Sequence, residues 1–378
     1  MIDFLEIRNS DRVLIGVIDN ATSIIWHPLY YGTGDFEIYV ACTAETVRLL
    51  SVGNYVTRID DRDVGIIEKV QITNDEIDGR MIVASGRFAK SILDRRIIYT
   101  LNGTSVTPRI LSGNVETAVR SLVSENAISC AFDPARNFGI LELGEVAGIA
   151  QNIIDNSGDD SEKQVTYKVL LDYIESVMNE YGIGSYVALD SSTLKLLFNM
   201  FEGADRSIDN TVGNEPVIFS EDFDNLLSSN YEKDTTTLKN TAIVGGEGEG
   251  ISRFVVVYKD DKQVGMNRRE VFVDASSSSK KYTDADKVEH TLSDAEYTKQ
   301  LVSVGKQTAA TYVITETFVG DIDLSNGVWQ YGVDKDYYLG DILSIQDVGI
   351  GLYINARLIG ILETQDANGY KIAGEFGV

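Results

Sequence analysis

Short stretches in which apolar and polar residues alternate occupy most of the first 100 positions of this chain. The clearest is residues 36–40, which read FEIYV, and shorter apolar runs cover residues 13–18 and 24–26. Alternation with a period of two places successive side chains on opposite faces of a β-strand. Short strands at this spacing are typical of barrels and sandwiches, so residues 1–100 are predicted to form a β-barrel domain.

One strand–turn–strand pattern occurs twice, once near each end of the chain. In both copies a Gly-Asn or Gly-Asp turn leads into a strand, and a Gly-Ile-Ile-Glu or Gly-Ile-Leu-Glu strand follows it. The copies comprise residues 52–56, 65–68 and 79–84, and residues 339–343, 360–363 and 369–374. The unequal spacing between the strands is expected where loops vary and strands persist. The repeat predicts one barrel-like domain present twice, and the alternative is that two unrelated hairpins look alike.

Residues 101–210 change to a mixed pattern and are predicted to form a small α/β domain. Asn114 can cap a helix whose apolar residues recur every three or four positions. A second stripe of this kind covers residues 165–181, and Gly182 can end that helix. Two strand-like runs follow before residue 200.

The rest of the chain is predicted to hold the second barrel and an insertion within it. Residues 211–250 and 326–378 supply strand-like runs for this barrel. Residues 251–325 interrupt them with a hairpin, a helix and a strand, and Ser293 with Glu296 forms a capping box where this helix begins. The predicted fold class is therefore β-rich α+β and multidomain, with two similar antiparallel β-barrel domains and α/β domains between them.

The chain is strongly acidic, with 33 Lys and Arg residues against 58 Asp and Glu residues and a formal charge of −25. A surface of this charge repels phosphates, so specific nucleic-acid binding is not expected. The charge can serve solubility alone, or it can let nucleic acid pass through a channel without sticking. The sequence has no run of about 18 apolar residues and no secretory signal at its start, so no membrane anchor and no export are expected.

Residues that would indicate catalysis, cofactor binding or metal binding do not occur in a recognisable pattern. The two histidines, His27 and His290, do not stand in the context of a catalytic triad. The sequence has no HExxH or CxxC motif, and the glycine-rich residues 245–250 lack the Gly-Lys-Ser/Thr of a phosphate-binding loop. We therefore predict no catalytic, cofactor-binding or metal-binding residue and no enzymatic activity. A glycosidase requires only a pair of carboxylates, and a sequence with 58 acidic residues does not exclude such a pair.

Several segments, in a consistent order over nearly the whole chain, carry a resemblance to a known family. They are residues 34–40, 85–87 with 92–96, 203–207 with 223–226, 240–250 and 338–341. These segments resemble hub proteins at the tail tip of siphophages, the group called tail-associated lysins or Tal-type proteins. The resemblance implies a fold related to the central baseplate hub of contractile tails. It also implies a homotrimer in which two barrels per subunit form a ring of six, so that a threefold assembly meets a sixfold tail tube.

The resemblance implies a structural protein of the virion tail tip, made in the bacterial host cytoplasm. Its expected role is to adapt the sixfold tube to a threefold tip and to close the DNA channel before ejection. The expected partners are further copies of itself, a hexameric distal tail or tail-tube protein, the tape-measure protein, and a downstream fibre or receptor-binding protein.

Two alternatives to this role stay open. One is a receptor- or glycan-binding tail protein, for which Trp26 and Trp329 are candidate platform residues, although the strand-like sequence beside each favours a core position. The other is a peptidoglycan hydrolase of the tail tip. Many relatives carry a long C-terminal lytic or fibre extension, whereas this sequence stops just after its second predicted barrel, so hydrolysis is not expected.

Overall fold

The computed structural model of the chain describes residues 2–75, 79–102, 105–154, 162–259, 263–276, 278–283, 289–322 and 329–377. Contacts divide the chain into two compact units. Unit 1 comprises Met1–Asn230 and Phe318–Val378, and unit 2 comprises Tyr231–Thr317. Within the described residues, no helix is long and apolar enough to cross a membrane.

The N-terminal part of unit 1 consists of short strands and a short helix, as the alternating pattern predicts. They are β1 (Leu5–Arg8), β2 (Leu14–Ile18), β3 (Ser23–His27), β4 (Asp35–Ala41), α1 (Ala44–Leu49), β5 (Tyr55–Thr57), β6 (Val64–Ile66), β7 (Lys69–Asp75) and β8 (Gly79–Arg87). One sheet has the order β2-β1-β5-β6, and the strands β3-β4-β8-β7 belong to a larger sheet. Buried residues of both sheets share one core, with Trp26, Phe36 and Phe88 in mutual contact.

The next part of unit 1 is a mixed α/β region. Its elements are β9 (Thr100–Asn102), β10 (Ser105–Thr107), β11 (Arg109–Ser112), α2 (Val115–Val123), β12 (Leu141–Leu143), β13 (Glu162–Val165), α3 (Leu170–Tyr181), β14 (Gly184–Asp190) and β15 (Lys195–Phe201). Asn114 caps α2 as predicted, because its side chain accepts a hydrogen bond of 2.9 Å from the N–H of Thr117. Gly182 ends α3 at a φ of 66°, also as predicted.

The start of α3 differs from the prediction. The apolar stripe predicts a helix from Val165, but the helix begins at Leu170. Residues 162–165 form β13 instead and pair with β11. This pairing satisfies the backbone of both segments and still buries Val165 in the core, so tertiary contact outweighs the helical spacing.

The remaining elements complete unit 1 and form unit 2. They are β16 (Ile218–Ser220), β17 (Leu226–Asp234), β18 (Thr241–Gly245), β19 (Val255–Lys259), β20 (Glu270–Asp274), β21 (Lys281–Thr283), β22 (Glu289–Thr291), α4 (Asp294–Ala309), β23 (Thr315–Ile322), β24 (Ile342–Asp347), β25 (Leu352–Asp366) and β26 (Gly369–Gly377). The predicted capping box of α4 is confirmed, because the N–H of Ser293 donates to the Glu296 carboxylate at 2.8 Å.

Strands from both ends of the chain pair in one large sheet, in the order β17-β23-β26-β25-β3-β4-β8-β7, with β24 beside β25 and β16 beside β24. We call β1–β8 the first module, and β16, β17 and β23–β26 the second module. The predicted β-rich multidomain class is confirmed. Within the described residues, however, the strand pairings close neither module into a barrel. Instead, β25 pairs with β24 along its first half and with β3 near its end, so strands of both modules share one sheet.

The repeated segments adopt matching topologies. The N–H of Gly53 donates to the carbonyl of Ile67 at 2.8 Å, and the N–H of Gly340 donates to the carbonyl of Leu358 at 2.8 Å. Each turn glycine has a positive φ, 89° at Gly53 and 94° at Gly340. In both segments an antiparallel hairpin follows, β7 with β8 and β25 with β26.

The structure and the sequence repeat align different residues of the two segments with each other. Ile67 and Leu358 occupy the same position relative to the two turn glycines, so Gly65 corresponds to Ala356. Gly360, which the sequence match aligns with Gly65, lies four residues further along β25. The Gly-Ile-Leu-Glu match is therefore wrong in register, because hydrogen-bond pairing sets the register of a strand.

Two strands pair with partners outside the domains to which the sequence assigned them. β18, which falls in the predicted range 211–250 of the second barrel, pairs with β19 and β20 in unit 2. β23 begins in the predicted insertion 251–325 but joins the large sheet. The first difference arises because Ala242 and Val244 on β18 are fully buried in the core of unit 2 with Tyr297 and Leu301 of α4.

Candidate functional site

The two modules meet where β25 pairs with β3, and we call this region the seam. Glu363 faces Trp26 across the paired strands. The side chain of Gln365 adds a further link, because it accepts from the N–H of Ile2 at 2.8 Å and donates to the carbonyl of the same residue at 3.0 Å. The seam sets the geometry between the two modules of one chain. It is therefore the candidate functional site of a protein whose predicted role is geometric.

A buried ion pair crosses the seam. The guanidinium of Arg58, in the loop after β5, donates to the carboxylate of Glu363 at 2.9 and 3.2 Å, and only 4% and 3% of these side chains are exposed. Arg58 also donates to Asp60 at 3.0 and 2.9 Å. Burial alone would lower the pKa of Arg58, but the charge of Glu363 and the hydrogen bonds to Asp60 raise it above its ordinary value. The pair is therefore charged and bonded on two sides, which links the modules in one fixed geometry.

Neighbouring side chains complete the hydrogen bonding of this pair. Tyr370 on β26 donates its hydroxyl to Glu363, and burial together with this carboxylate raises the pKa of Tyr370. Trp26 is fully buried, and its indole N–H donates to Asp61 at 2.7 Å. The Arg58 guanidinium carbon lies 5.3 Å from the centre of the Trp26 ring. Trp26 is thus a core residue, as the strand-like sequence beside it predicts, and it does not form an exposed glycan platform.

A cavity of about 760 Å³ opens beside the ion pair. It is lined by the loop at residues 58–62, by residues 329–335 and Tyr338, and by Glu363, Tyr370 and Ile372. Its volume is in the range of small-molecule pockets. Two of its carboxylates already hold internal donors, since Glu363 binds Arg58 and Tyr370 and Asp61 binds Trp26. These two carboxylates are therefore hydrogen-bonded within the protein.

Aromatic rings form one wall of this cavity. Tyr331 and Tyr338 stack with their ring centres 5.5 Å apart and their planes 10° apart. Arg62 lies over Tyr338, with its guanidinium carbon 4.4 Å from the ring centre. Burial raises the pKa of both tyrosines well above the ordinary value. Trp329 is half-buried, and its indole N–H donates to the carbonyl of Ile218 at 3.3 Å.

His27 forms a second charged contact between the modules. It ends β3, and its ring nitrogens lie 3.2 Å from Asp35 and 3.2 Å from Glu375 on β26. The nearby carboxylate of Glu375 raises the pKa of His27, although burial opposes the shift. The His27 ring in turn lowers the pKa of Glu375. The other histidine, His290, lies in β22 of unit 2.

No local pattern in the sequence points to Arg58 and Glu363. They are 305 positions apart. Arg58 stands in no motif, and the repeated Gly-Ile-Leu-Glu strand that contains Glu363 does not indicate its partner. Only the pairing of β3 with β25 brings their two segments together. Among the residues that the structure describes, no group of three or more His, Cys, Asp or Glu side chains is arranged to hold a metal ion.

A family model described as Siphovirus ReqiPepy6 Gp37-like protein matches residues 4–378. The chain belongs to this family. Because the match covers nearly the whole sequence, the Gp37-like region includes both modules and unit 2. The predicted relationship to a siphophage protein family is therefore confirmed.

Solved structures share the Gp37-like fold at low sequence identity. The tail protein from Neisseria meningitidis MC58 is 14% identical with a TM-score of 0.55, over 99% of this chain and 96% of that chain. The 43 kDa tail protein of prophage MuSo2 from Shewanella oneidensis is 11% identical with a TM-score of 0.54, over 99% and 98%. The E. coli c3393 protein of the type VI secretion system covers 94% and 73% at 10% identity, but its TM-score of 0.40 is too low to compare folds. No curated protein matches this sequence.

Proposed function

We propose that this Gp37-like protein is the hub at the tip of a siphophage tail. In this proposal it forms a homotrimer whose two modules per chain face a sixfold tail tube, and it closes the DNA channel until ejection. The observation that carries the proposal is the pair of matching segments, with equivalent turn bonds at Gly53 and Gly340, whose hairpins β7–β8 and β25–β26 belong to one sheet. Two similar modules in each of three chains make six similar contacts, which a sixfold ring can meet.

The ends of the large sheet support a closed ring. β7 and β17 terminate its main path. An edge strand leaves backbone N–H and C=O groups without strand partners, and such edges pair readily with another chain. The two edges are exposed at Ile72 and Leu227, with relative exposures of 51% and 65%. If β7 of one copy pairs with β17 of the next, the contact is head-to-tail, and it forms a closed trimer when each copy is rotated by one third of a turn from the last.

The distribution of charge supports a passage for DNA. Unit 1 carries 21 Lys and Arg residues against 44 Asp and Glu residues, a formal charge of −23, and unit 2 carries 12 against 14, a charge of −2. The acidic excess therefore belongs to the unit that contains the large sheet. An acidic wall repels the phosphates of DNA and lets it pass without adhesion.

The proposed location is the tip of the virion tail, after synthesis in the host cytoplasm. The proposed neighbours are a hexameric distal tail or tail-tube protein, the tape-measure protein, and a fibre or receptor-binding protein. We propose no enzymatic activity and no specific binding of nucleic acid. The hydrogen-bonded carboxylates of the seam support a structural role for the cavity beside them.

Light scattering tests the trimer and its edges. We expect the purified protein to have three times the 41.6 kDa mass of the chain at physiological salt, where screening reduces the repulsion between acidic copies. Ile72→Asp and Leu227→Asp should each lower this mass, because a carboxylate at the edge opposes strand pairing. Val146→Asp is the control, since Val146 is 72% exposed in a loop that belongs to neither edge strand. A wild-type protein that stays monomeric over a hundredfold range of concentration would refute the trimer.

A further inference from the structure

Unit 2 contains a small sheet with a helix on one face. β18 is the central strand, antiparallel to β19 and parallel to β20. Ala242 and Val244 on β18 are fully buried with Tyr297 and Leu301 of α4. Because side chains alternate along a strand, the residues between them point to the opposite face. A sheet face that meets water is normally polar, so the composition of this second face is informative.

The centre of the second face is apolar on all three strands, whereas Thr241, Glu270 and Asp274 lie on the same face toward the strand ends. Ile243 in the central strand faces Val257 on β19 and Phe272 on β20. Val255, Val257 and Phe272 have relative exposures of 52%, 45% and 57%. We call Ile243, Val255, Val257 and Phe272 the open face. Contiguous exposed apolar residues of this kind mark interaction surfaces, whereas single exposed residues are normal.

The charges around the open face indicate what kind of surface can cover it. Arg253 forms an ion pair with Asp274, and its guanidinium carbon lies 5.4 Å from the centre of the Phe272 ring. Arg268 forms an ion pair of 2.6 Å with Glu270. These rim charges are therefore balanced within the chain, and they offer no net charge to a strongly acidic or basic partner.

Identical copies of this chain repel one another through unit 1, which carries −23, but hardly through unit 2, which carries −2. A contact between copies is favoured where the surface is apolar and nearly neutral, because burial of apolar area is then not offset by like-charge repulsion. Among the surfaces described above, the open face meets both conditions. A charged partner would gain nothing from this neutral rim.

We infer that the open face of unit 2 is a contact between copies of this chain. The inference rests on the proposed trimer and names a surface that holds it together. In a closed threefold ring the contact is head-to-tail, so the open face of one copy meets a different surface of the next. Four apolar residues cover less than the roughly 800 Å² per partner of a standard interface. The open face is therefore one part of the contact, and the paired edges β7 and β17 are another.

The test compares two aspartate substitutions in unit 2. Phe272→Asp places a carboxylate on the open face, and Ile251→Asp places one in a loop where Ile251 is fully exposed. We expect Phe272→Asp to raise the concentration at which half of the protein is trimeric by at least about tenfold, as loss of an aromatic contact residue does. Ile251→Asp should leave that concentration unchanged. Far-ultraviolet circular dichroism of both variants checks that unit 2 is folded.

Hydrogen exchange gives a second measurement that needs no substitution. Amides of β18, β19 and β20 in the wild-type protein should exchange more slowly at concentrations where it is trimeric than where it is monomeric. A trimer that forms equally well with Phe272→Asp, without concentration-dependent protection of these strands, would overturn the inference and leave the trimer intact. A wild-type protein that never exceeds the mass of one chain would overturn the trimer itself. The two failures are therefore distinguishable.

Discussion

Substitution of Arg58 by Met tests whether the buried ion pair links the two modules. Met fills a similar volume without the charge, so the carboxylate of Glu363, 3% exposed, keeps only the hydroxyl of Tyr370 as a donor. Removal of one partner from a buried ion pair costs about 3–5 kcal/mol, because the remaining charge is buried without compensation. We expect Arg58→Met to lower the free energy of unfolding of unit 1 by this amount.

The companion variant Glu363→Gln should cost less. Arg58 then keeps its two hydrogen bonds to Asp60, whose side chain is 54% exposed and can also contact water. Loss of hydrogen bonding between charged groups costs about 1.5–3 kcal/mol. The double variant Arg58→Met with Glu363→Gln should be less destabilised than the sum of the single variants, since residues in contact couple by roughly 0.5–3 kcal/mol.

Urea unfolding followed by tryptophan fluorescence is the appropriate assay. The two tryptophans, Trp26 and Trp329, both belong to unit 1, so their emission reports on that unit. Arg109→Met is the matched control, because Arg109 pairs with Glu125 at 2.7 Å on the surface, with 29% and 45% of these side chains exposed. Solvent screening limits such a pair to about 1 kcal/mol or less. If Arg58→Met costs no more than Arg109→Met, the seam is not held by this ion pair.

Two further predictions concern the turn glycines and His27. Gly340→Ala should destabilise the protein more than Gly53→Ala. Both substitutions add about 1–2 kcal/mol of strain at positive φ, but the new Cβ would lie 2.2 Å from the Tyr30 ring at Gly340, whereas nothing lies within 4 Å at Gly53. Equal melting temperatures of the two variants would contradict this prediction. His27 has a raised pKa and Glu375 a lowered one, so their contact stabilises above the ordinary pKa of Glu375 and below that of His27, and is lost as pH rises through the His27 pKa. His27→Gln should therefore lower the free energy of unfolding by at most about 1 kcal/mol near pH 6, because solvent screens the contact, and by less at pH 8. Urea titrations in which this loss of stability grows with pH would refute the prediction.

The seam joins two strands that are far apart in the sequence. Its N-terminal strand β3 and its C-terminal strand β25 must be folded next to each other before Arg58 can meet Glu363. Closing so long a loop costs entropy, although the cost grows only slowly with its length. The many bonds across the seam offset this cost, and the α/β region and unit 2 fold as compact insertions between the two strands.

The sequence by itself determined those features that depend on a few neighbouring residues. The caps at Asn114 and Ser293 and the end of α3 at Gly182 follow from hydrogen bonds and backbone angles within one helical turn. The repeated turns at Gly53 and Gly340 follow from a local need for positive φ. The β-rich class follows from alternating patterns along the chain, and the relationship to siphophage proteins was identified from the resemblance of segments spread over nearly the whole sequence.

Only the tertiary structure decided which strands became neighbours. The alternating pattern of β18 suits either the second module or unit 2, and burial of Ala242 and Val244 with α4 selects unit 2. The same holds for β25, whose length lets it pair with β24, β26 and β3, so the modules share a sheet. The physical reason is that strand partners are chosen by the sum of many contacts between distant segments, and no single segment contains that sum.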